Sequence, residues 1–187
     1  MRIISGVARG TKLYTLEGEN TRPTLDRVKE PLFSIIQSEI KDSIVLDLFS
    51  GSGALGLEAV SRGAKKAILC DKSLQAIEII KKNIIKTHFE DKTKVLCMDY
   101  KKCLDRLEEK INLVFIDPPY KLNIAVKAIE IILEKQLLAE DGLIILETDE
   151  EERELQEIKK LNYNIQIINI RTYGRVKLIF LQEEKRG

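Results

Sequence analysis

The sequence predicts an α/β fold, an open and mostly parallel sheet with helices on both faces, and three observations predict it. From Ile44 onward, short apolar runs alternate with stretches of helical period. A glycine-rich turn joins the first of these runs to the first helix of the alternation. The chain then closes with two extended runs joined at Tyr173-Gly174, near enough in sequence to pair antiparallel.

The elements follow in order. Residues 2–5 and 11–15 read as two short strands around Gly6 and Gly10, followed by a loop over 16–24, so residues 1–24 are expected to form a small β-hairpin and loop appended to the core. A helix should run over 25–40 with Asp26 near its start. Pro31 lacks an N–H and clashes one turn back, so a kink or a later start is expected there. The core strands are 44–48, 67–70, 94–97, 113–116 and 143–147, apolar runs too short to be helices. Between them, 54–62, 74–86, 103–109 and 124–133 carry apolar residues at three- and four-residue spacing and should be amphipathic crossover helices. The acidic stretch 149–154 opens a helix to about residue 161, its charge complementing the helix dipole. Strands 164–172 and 175–181 end the sheet in an antiparallel hairpin, which brings the expected total to seven strands. No repeat, low-complexity tract or linker interrupts the chain, so its 187 residues read as a single domain.

Composition narrows the function classes. The chain has 33% charged and 44% hydrophobic residues and a net charge of +1, so overall basicity does not announce a nucleic-acid binder. Charge distribution is more telling. Residues 1–29 hold Arg2, Arg9, Lys12, Arg22, Arg27 and Lys29 against Glu17, Glu19 and Asp26, net +3, which leaves −2 for the remainder. This segment is either a phosphate-facing surface or an ordinary solvated terminus. Cys70, Cys97 and Cys103 show no CxxC spacing, and His88 is the sole histidine, so neither a disulfide framework nor a metal site is suggested. No apolar run approaches membrane-spanning length, and a cytoplasmic protein, monomeric by default, is expected.

The chemistry is written at two places. Residues 47–56 contain Gly51, Gly53 and Gly56 in GxGxxG spacing directly after the first core strand, and Asp71 ends the second strand 20 residues after Gly51. Taken alone, this describes a dinucleotide site equally well, since Asp71 can hold ribose hydroxyls in either case. The discriminating motif is Asp117-Pro118-Pro119-Tyr120, at the carboxyl end of the fourth apolar strand. Asp117 and the Pro118 carbonyl can accept hydrogen bonds from an NH2 group and aim its nitrogen at a methyl donor, and Tyr120 offers a face for stacking a base. Pro119 holds the backbone extended. An exocyclic amine is a poor nucleophile, so positioning and electrostatics must supply much of the catalysis.

Together these motifs resemble a class I, Rossmann-like methyltransferase. More narrowly, the chain resembles the bacterial 16S ribosomal RNA guanine-N2 methyltransferases of the RsmD type, through Arg2-Ile3-Ile4-Ser5-Gly6, Arg22-Pro23-Thr24, Asp26-Arg27-Val28-Lys29-Glu30 and Tyr173-Gly174. The resemblance spans essentially the whole chain. It implies S-adenosyl-L-methionine as cofactor and 16S rRNA or an assembling small ribosomal subunit as substrate. It further implies that Asp47, Phe49, Gly51, Ser52 and Gly53 line the cofactor pocket and that Asp71 with Lys72 lies at the ribose. Asp99 and Tyr100 would lie near adenine, and Thr24 and Arg27 would close the methionine end. Arg2, Arg9, Lys12 and Arg22 would engage RNA. The DPPY motif by itself also suits adenine-N6 DNA methyltransferases and protein glutamine methyltransferases. A silent RNA-binding assembly factor and a dinucleotide oxidoreductase are the alternatives from other classes.

Overall fold

The computed structural model of the protein describes residues 1–16, 23–119 and 123–184, with residues 23–26 described by their helix alone. The five parallel strands are β1 (Ile44–Asp47), β2 (Lys66–Asp71), β3 (Thr93–Cys97), β4 (Ile111–Ile116) and β5 (Leu138–Thr148), and the hairpin is β6 (Ile165–Tyr173) with β7 (Val176–Glu183). The helices are α1 (Pro23–Ile35), α2 (Gln37–Ile40), α3 (Ala54–Ser61), α4 (Leu74–Thr87), α5 (Tyr100–Asp105), α6 (Ile124–Glu134) and α7 (Glu151–Lys159). All seven strands join one sheet in the order β3-β2-β1-β4-β5-β7-β6. β1 pairs in parallel with both β2 and β4, whereas β7 runs antiparallel to β5 and β6. The chain moves outward from β1 to β3 and then crosses to β4 on β1's other side. That reversal opens a crevice at the carboxyl ends of β1 and β4, the place where open α/β sheets bind ligands.

Side-chain alternation along each strand feeds two cores. Val45, Leu113, Phe115, Ile145 and Phe180 pack on one face with α1, α3 and α4, while Leu46, Val114, Ile144 and Ile179 pack on the other with α5 and α6. Burial on both faces is why the parallel strands read as unbroken apolar runs. Gly56 lets α3 settle against the sheet, because a Cβ there would stand 2.2 Å from Leu69 Cδ2.

The differences from expectation have local causes. The predicted helix 25–40 begins earlier and breaks in two. Pro23 opens α1 at the first helical position, where a missing N–H costs nothing. Pro31 lies inside α1, held there because Val28, Leu32 and Phe33 are buried in the core, and the helix stops at Ile35 before α2 resumes at Gln37. Tertiary burial outweighs the local penalty. The helix expected at 103–109 starts at Tyr100, because Asp99 caps it by accepting from Lys101 N–H at 2.9 Å. β5 begins five residues before the expected 143, and the register with β4 shifts between Ile111 and Leu113. The two N-terminal strands reduce to a single antiparallel bridge between Arg2 and Lys12, flanked by main-chain bonds Ile3 N–H to Thr11 O, Gly10 N–H to Ile3 O and Leu13 N–H to Met1 O.

Candidate active site

A cavity of about 430 Å³ lies in the crevice, lined by residues from β1, β2, the segment after β4, the starts of α3 to α6, and Met1 and Leu16 of the N-terminal segment. The volume is that of a small-molecule site. Its distinctive feature is acidity. Asp47 ends β1, Asp71 ends β2, Asp99 caps α5 after β3, and Asp117 follows β4, and all four line the cavity. Parallel strands with crossovers on both sides place every strand's carboxyl end on one edge, so carboxylates at those ends must converge.

Asp47 and Asp71 also organise their own surroundings. Asp47 is buried and its Oδ2 accepts from Gly56 N–H at 3.1 Å, in the first turn of α3. Burial, above all, with the Asp117 and Asp71 charges adding to it, pushes its carboxyl up to about 7, against the pull of the Gly56 N–H. Asp71 accepts from Gly51 N–H through Oδ2 and from Ser73 N–H through Oδ1, both at 2.9 Å, which ties the glycine turn to the start of α4. Gly53 takes the left-handed conformation that lets the chain enter α3, its N–H donating to Ser50 O at 2.7 Å. Asp117 is half-buried, with Pro118 and Pro119 following it in the cavity wall. Phe49 and Tyr100 face each other across 5.6 Å at 43°, and both line the cavity; burial raises the Tyr100 phenol, Asp99 adding to it.

This donor arrangement separates the two cofactor readings that the glycine turn left open. A pyrophosphate needs free amides at the turn and no nearby negative charge. Here the Gly51, Gly53 and Gly56 amides are already bonded within the protein, and four aspartates line the space. The site suits a cation carrying hydroxyl groups and a flat ring.

Of the sequence-predicted cofactor residues, Asp47, Phe49, Gly51, Ser52, Asp71, Lys72, Asp99 and Tyr100 line the cavity, together with the catalytic candidates Asp117, Pro118 and Pro119. Gly53 supports the turn from behind, and Arg27 is exposed on α1 and does not line the cavity. Tyr120, Arg22 and the Thr24 side chain lie outside the described residues. Arg2, Arg9 and Lys12 are exposed on the N-terminal segment.

Two buried polar residues escaped the sequence reading. Glu58 on α3 is 0% exposed, accepts from Ile4 N–H and Ser5 N–H at 2.9 and 3.0 Å, and pairs with Lys29 at 3.2 Å and Arg62 at 2.8 Å. It seats the N-terminal segment. Gly6 lies so close to the end of α3 that a Cβ would fall 1.8 Å from Ser61 O, and its φ of +86° excludes most side chains as well. The single charge in the otherwise uncharged α3 was the available signal for Glu58. Asn83 on α4, also buried, bonds Tyr14 N–H and O and Ser52 O, and nothing local in the sequence marks it.

Comparison with known proteins agrees with this geometry. The family model described as "Conserved hypothetical protein 95" matches residues 1–182. Ribosomal RNA small subunit methyltransferase D of Haemophilus influenzae is 39% identical over 81% of this chain and 80% of its own length. The protein of that name from Escherichia coli K12 is 36% identical over 81% of this chain and 76% of its own. The solved Escherichia coli yhhF structure superposes with a TM-score of 0.85 at 31% identity, covering 98% of both chains.

Proposed function

Because this chain belongs to the RsmD family of small-subunit ribosomal RNA methyltransferases, we propose that it transfers a methyl group from S-adenosylmethionine to the exocyclic N2 amine of a guanine in 16S rRNA. The observation that carries the reading is the set of three aspartates, Asp47, Asp71 and Asp117, around one cavity whose turn amides are already engaged.

S-adenosylmethionine, when bound, supplies a methyl group on a positively charged sulfur. Asp47 and Asp71 favour that positive charge and the ribose hydroxyls, and the Phe49 and Tyr100 rings offer apolar faces for adenine, with Asp99 accepting from its amine. Gly51, Ser52 and Gly53 shape the turn beneath, and Lys72 is the exposed cation of the lining. Thr24 and Arg27 remain candidates for the methionine end.

Asp117 and the Pro118 carbonyl accept the two N–H bonds of the guanine amine, which turns the nitrogen lone pair toward the cavity. Methyl transfer would place positive charge on that nitrogen, where the Asp117 carboxylate would stabilise it. The excess proton then leaves to solvent. Pro118 and Pro119 bring no N–H to compete for these acceptors. Tyr120 supplies the ring on which the base stacks, and Arg2, Arg9, Lys12 and Arg22 attract phosphates. The substrate is 16S rRNA or the assembling small subunit, and the whole chain acts as one domain with residues 1–24 appended. No helix among the described residues is long and apolar enough to cross a membrane, in keeping with work on ribosomal RNA in the cytoplasm.

The test is transfer of labelled methyl to ribosomal subunits and RNA from cells lacking this protein, followed by nucleoside analysis. N2-methylguanosine in small-subunit RNA is expected. Label in no RNA or subunit preparation, despite cofactor binding, overturns the reading.

A further inference from the structure

Next to the cavity lies a surface that the proposed chemistry leaves unused. Tyr14 is 49% exposed, and Lys86 Nζ stands 4.5 Å from the centroid of its ring. The main chain that carries the ring is held in place: Tyr14 N–H donates to Asn83 Oδ1 at 2.7 Å, and Tyr14 O accepts from Asn83 Nδ2 at 2.9 Å. The same buried Nδ2 donates to the carbonyl of Ser52, a residue of the cavity wall, at 2.9 Å. Leu16, two residues beyond Tyr14, is itself part of that wall. One buried amide therefore ties the Tyr14 main chain to the cavity wall.

The charges that flank the ring along the chain are mostly basic. Lys81, Lys82 and Lys86 are exposed on α4, with Lys82 one turn before Lys86 on the same face. Arg2, Arg9 and Lys12 are exposed on residues 1–16, a stretch containing no acidic residue, and Glu78 is the single acidic residue of α4. A half-exposed aromatic ring with a cation over one face matches what unpaired nucleotides need, a ring to stack on and phosphate neutralisation. A protein surface would gain less from such a concentration of lysine, which is depleted at protein interfaces.

We propose that Tyr14 and Lys86 form a stacking platform for an unpaired RNA base beside the target guanine, with Lys82 neutralising an adjoining phosphate. The proposal rests on the RNA methyltransferase reading and adds a specific subsite to it. The platform holds the strand on the N-terminal side of the cavity while the target base enters it.

The experiment is steady-state methylation of small-subunit RNA from cells lacking the protein, with RNA and cofactor varied separately. Tyr14→Ala should raise the KM for RNA about tenfold, at unchanged kcat and cofactor affinity, and Tyr14→Phe should behave as the native protein. Lys82→Gln should reduce the slope of log affinity against log salt by about one. Lys159→Ala, an exposed lysine on α7, should change neither. Because the Asn83 bonds use only Tyr14's main chain, Tyr14→Ala keeps them and its thermal midpoint should not move. An unchanged RNA KM in Tyr14→Ala, beside a native protein that methylates RNA, overturns the platform alone. A loss that tracks a lowered thermal midpoint does the same, by showing a structural role. Failure of the native protein to methylate any RNA overturns both the platform and the reading beneath it.

Discussion

At the cavity, Asp47 accepts from Gly56, Asp71 from Gly51 and Ser73, and Asp99 from Lys101, each an amide in an adjoining turn or helix start. The N-terminal segment beside it has one isolated bridge and is held by side chains from helices far along the chain, Glu58 and Ser61 of α3 and Asn83 of α4. The cavity is thus assembled from local strand-turn-helix units that the sheet brings into line. The segment depends on a few buried polar groups, each of which must keep every partner, since a buried group left unpaired is costly. This difference predicts that damage to the cavity should read out in chemistry, and damage to the clamp in stability and RNA engagement.

The largest expected effect lies in the clamp. Glu58→Ala takes a carboxylate from buried Lys29, 2% exposed, and from Arg62, and orphans the Ile4 and Ser5 amides. A loss of about 3–5 kcal/mol is expected, measured by urea denaturation, with the RNA KM rising more than the cofactor Kd in whatever folds. Equal change in both would show that the segment and the cavity are one unit.

Next comes the chemistry. Asp117→Ala should lower kcat by about 10²–10³-fold, the scale for removing one preorganised charge-stabilising group, while cofactor binding and denaturation midpoint stay near native. Undiminished turnover would remove Asp117 from the mechanism. A large loss of stability would place it with the structural carboxylates instead.

Asn83 joins the two regions, and Asn83→Asp tests the boundary between them. The carboxylate still accepts from Tyr14 N–H but cannot donate to the Tyr14 and Ser52 carbonyls. About 1–3 kcal/mol should be lost, with RNA KM and cofactor Kd both raised, because one lost donor faces each region. A shift in only one of the two constants would assign Asn83 to that side.

What was legible in the sequence follows the same division. The strands and the aspartates at their ends could be read because the motif and the element that positions it adjoin in sequence, as with Asp47 before the glycine turn and Asp117 after β4. Glu58 and Asn83 could not, because their partners in the N-terminal segment lie 53 to 69 residues away and only the tertiary fold brings them together. The start of α5 was missed for a different reason. Apolar periodicity finds the middle of a helix, whereas Asp99 as its cap sets the beginning. In α1, proline sterics were wrong about where the helix begins, since burying Leu32 and Phe33 outweighs the Pro31 penalty.

The smallest expected effect is a fraction of a proton, and it probes the cavity alone. Burial, helped by the Asp117 and Asp71 charges, holds Asp47 at about 7 in the folded protein, against 3.8 for an ordinary aspartate. Its raised value means that folding is opposed by the cost of burying the charge; that cost sets in as pH rises above 3.8 and is complete above about 7. Stability measured in native protein should therefore fall relative to Asp47→Asn across that window, and the difference should level off on both sides. A cation entering the cavity favours the ionised carboxylate, so S-adenosylmethionine binding near pH 6.5 should release part of a proton from Asp47. Calorimetry in two buffers of different ionisation enthalpy reads that release, and Asp47→Asn, which can still accept from Gly56 N–H, should remove its share. A native protein and variant with the same buffer dependence would mean that the bound cation sits away from Asp47, and that Asp71 and Asp117 carry its recognition.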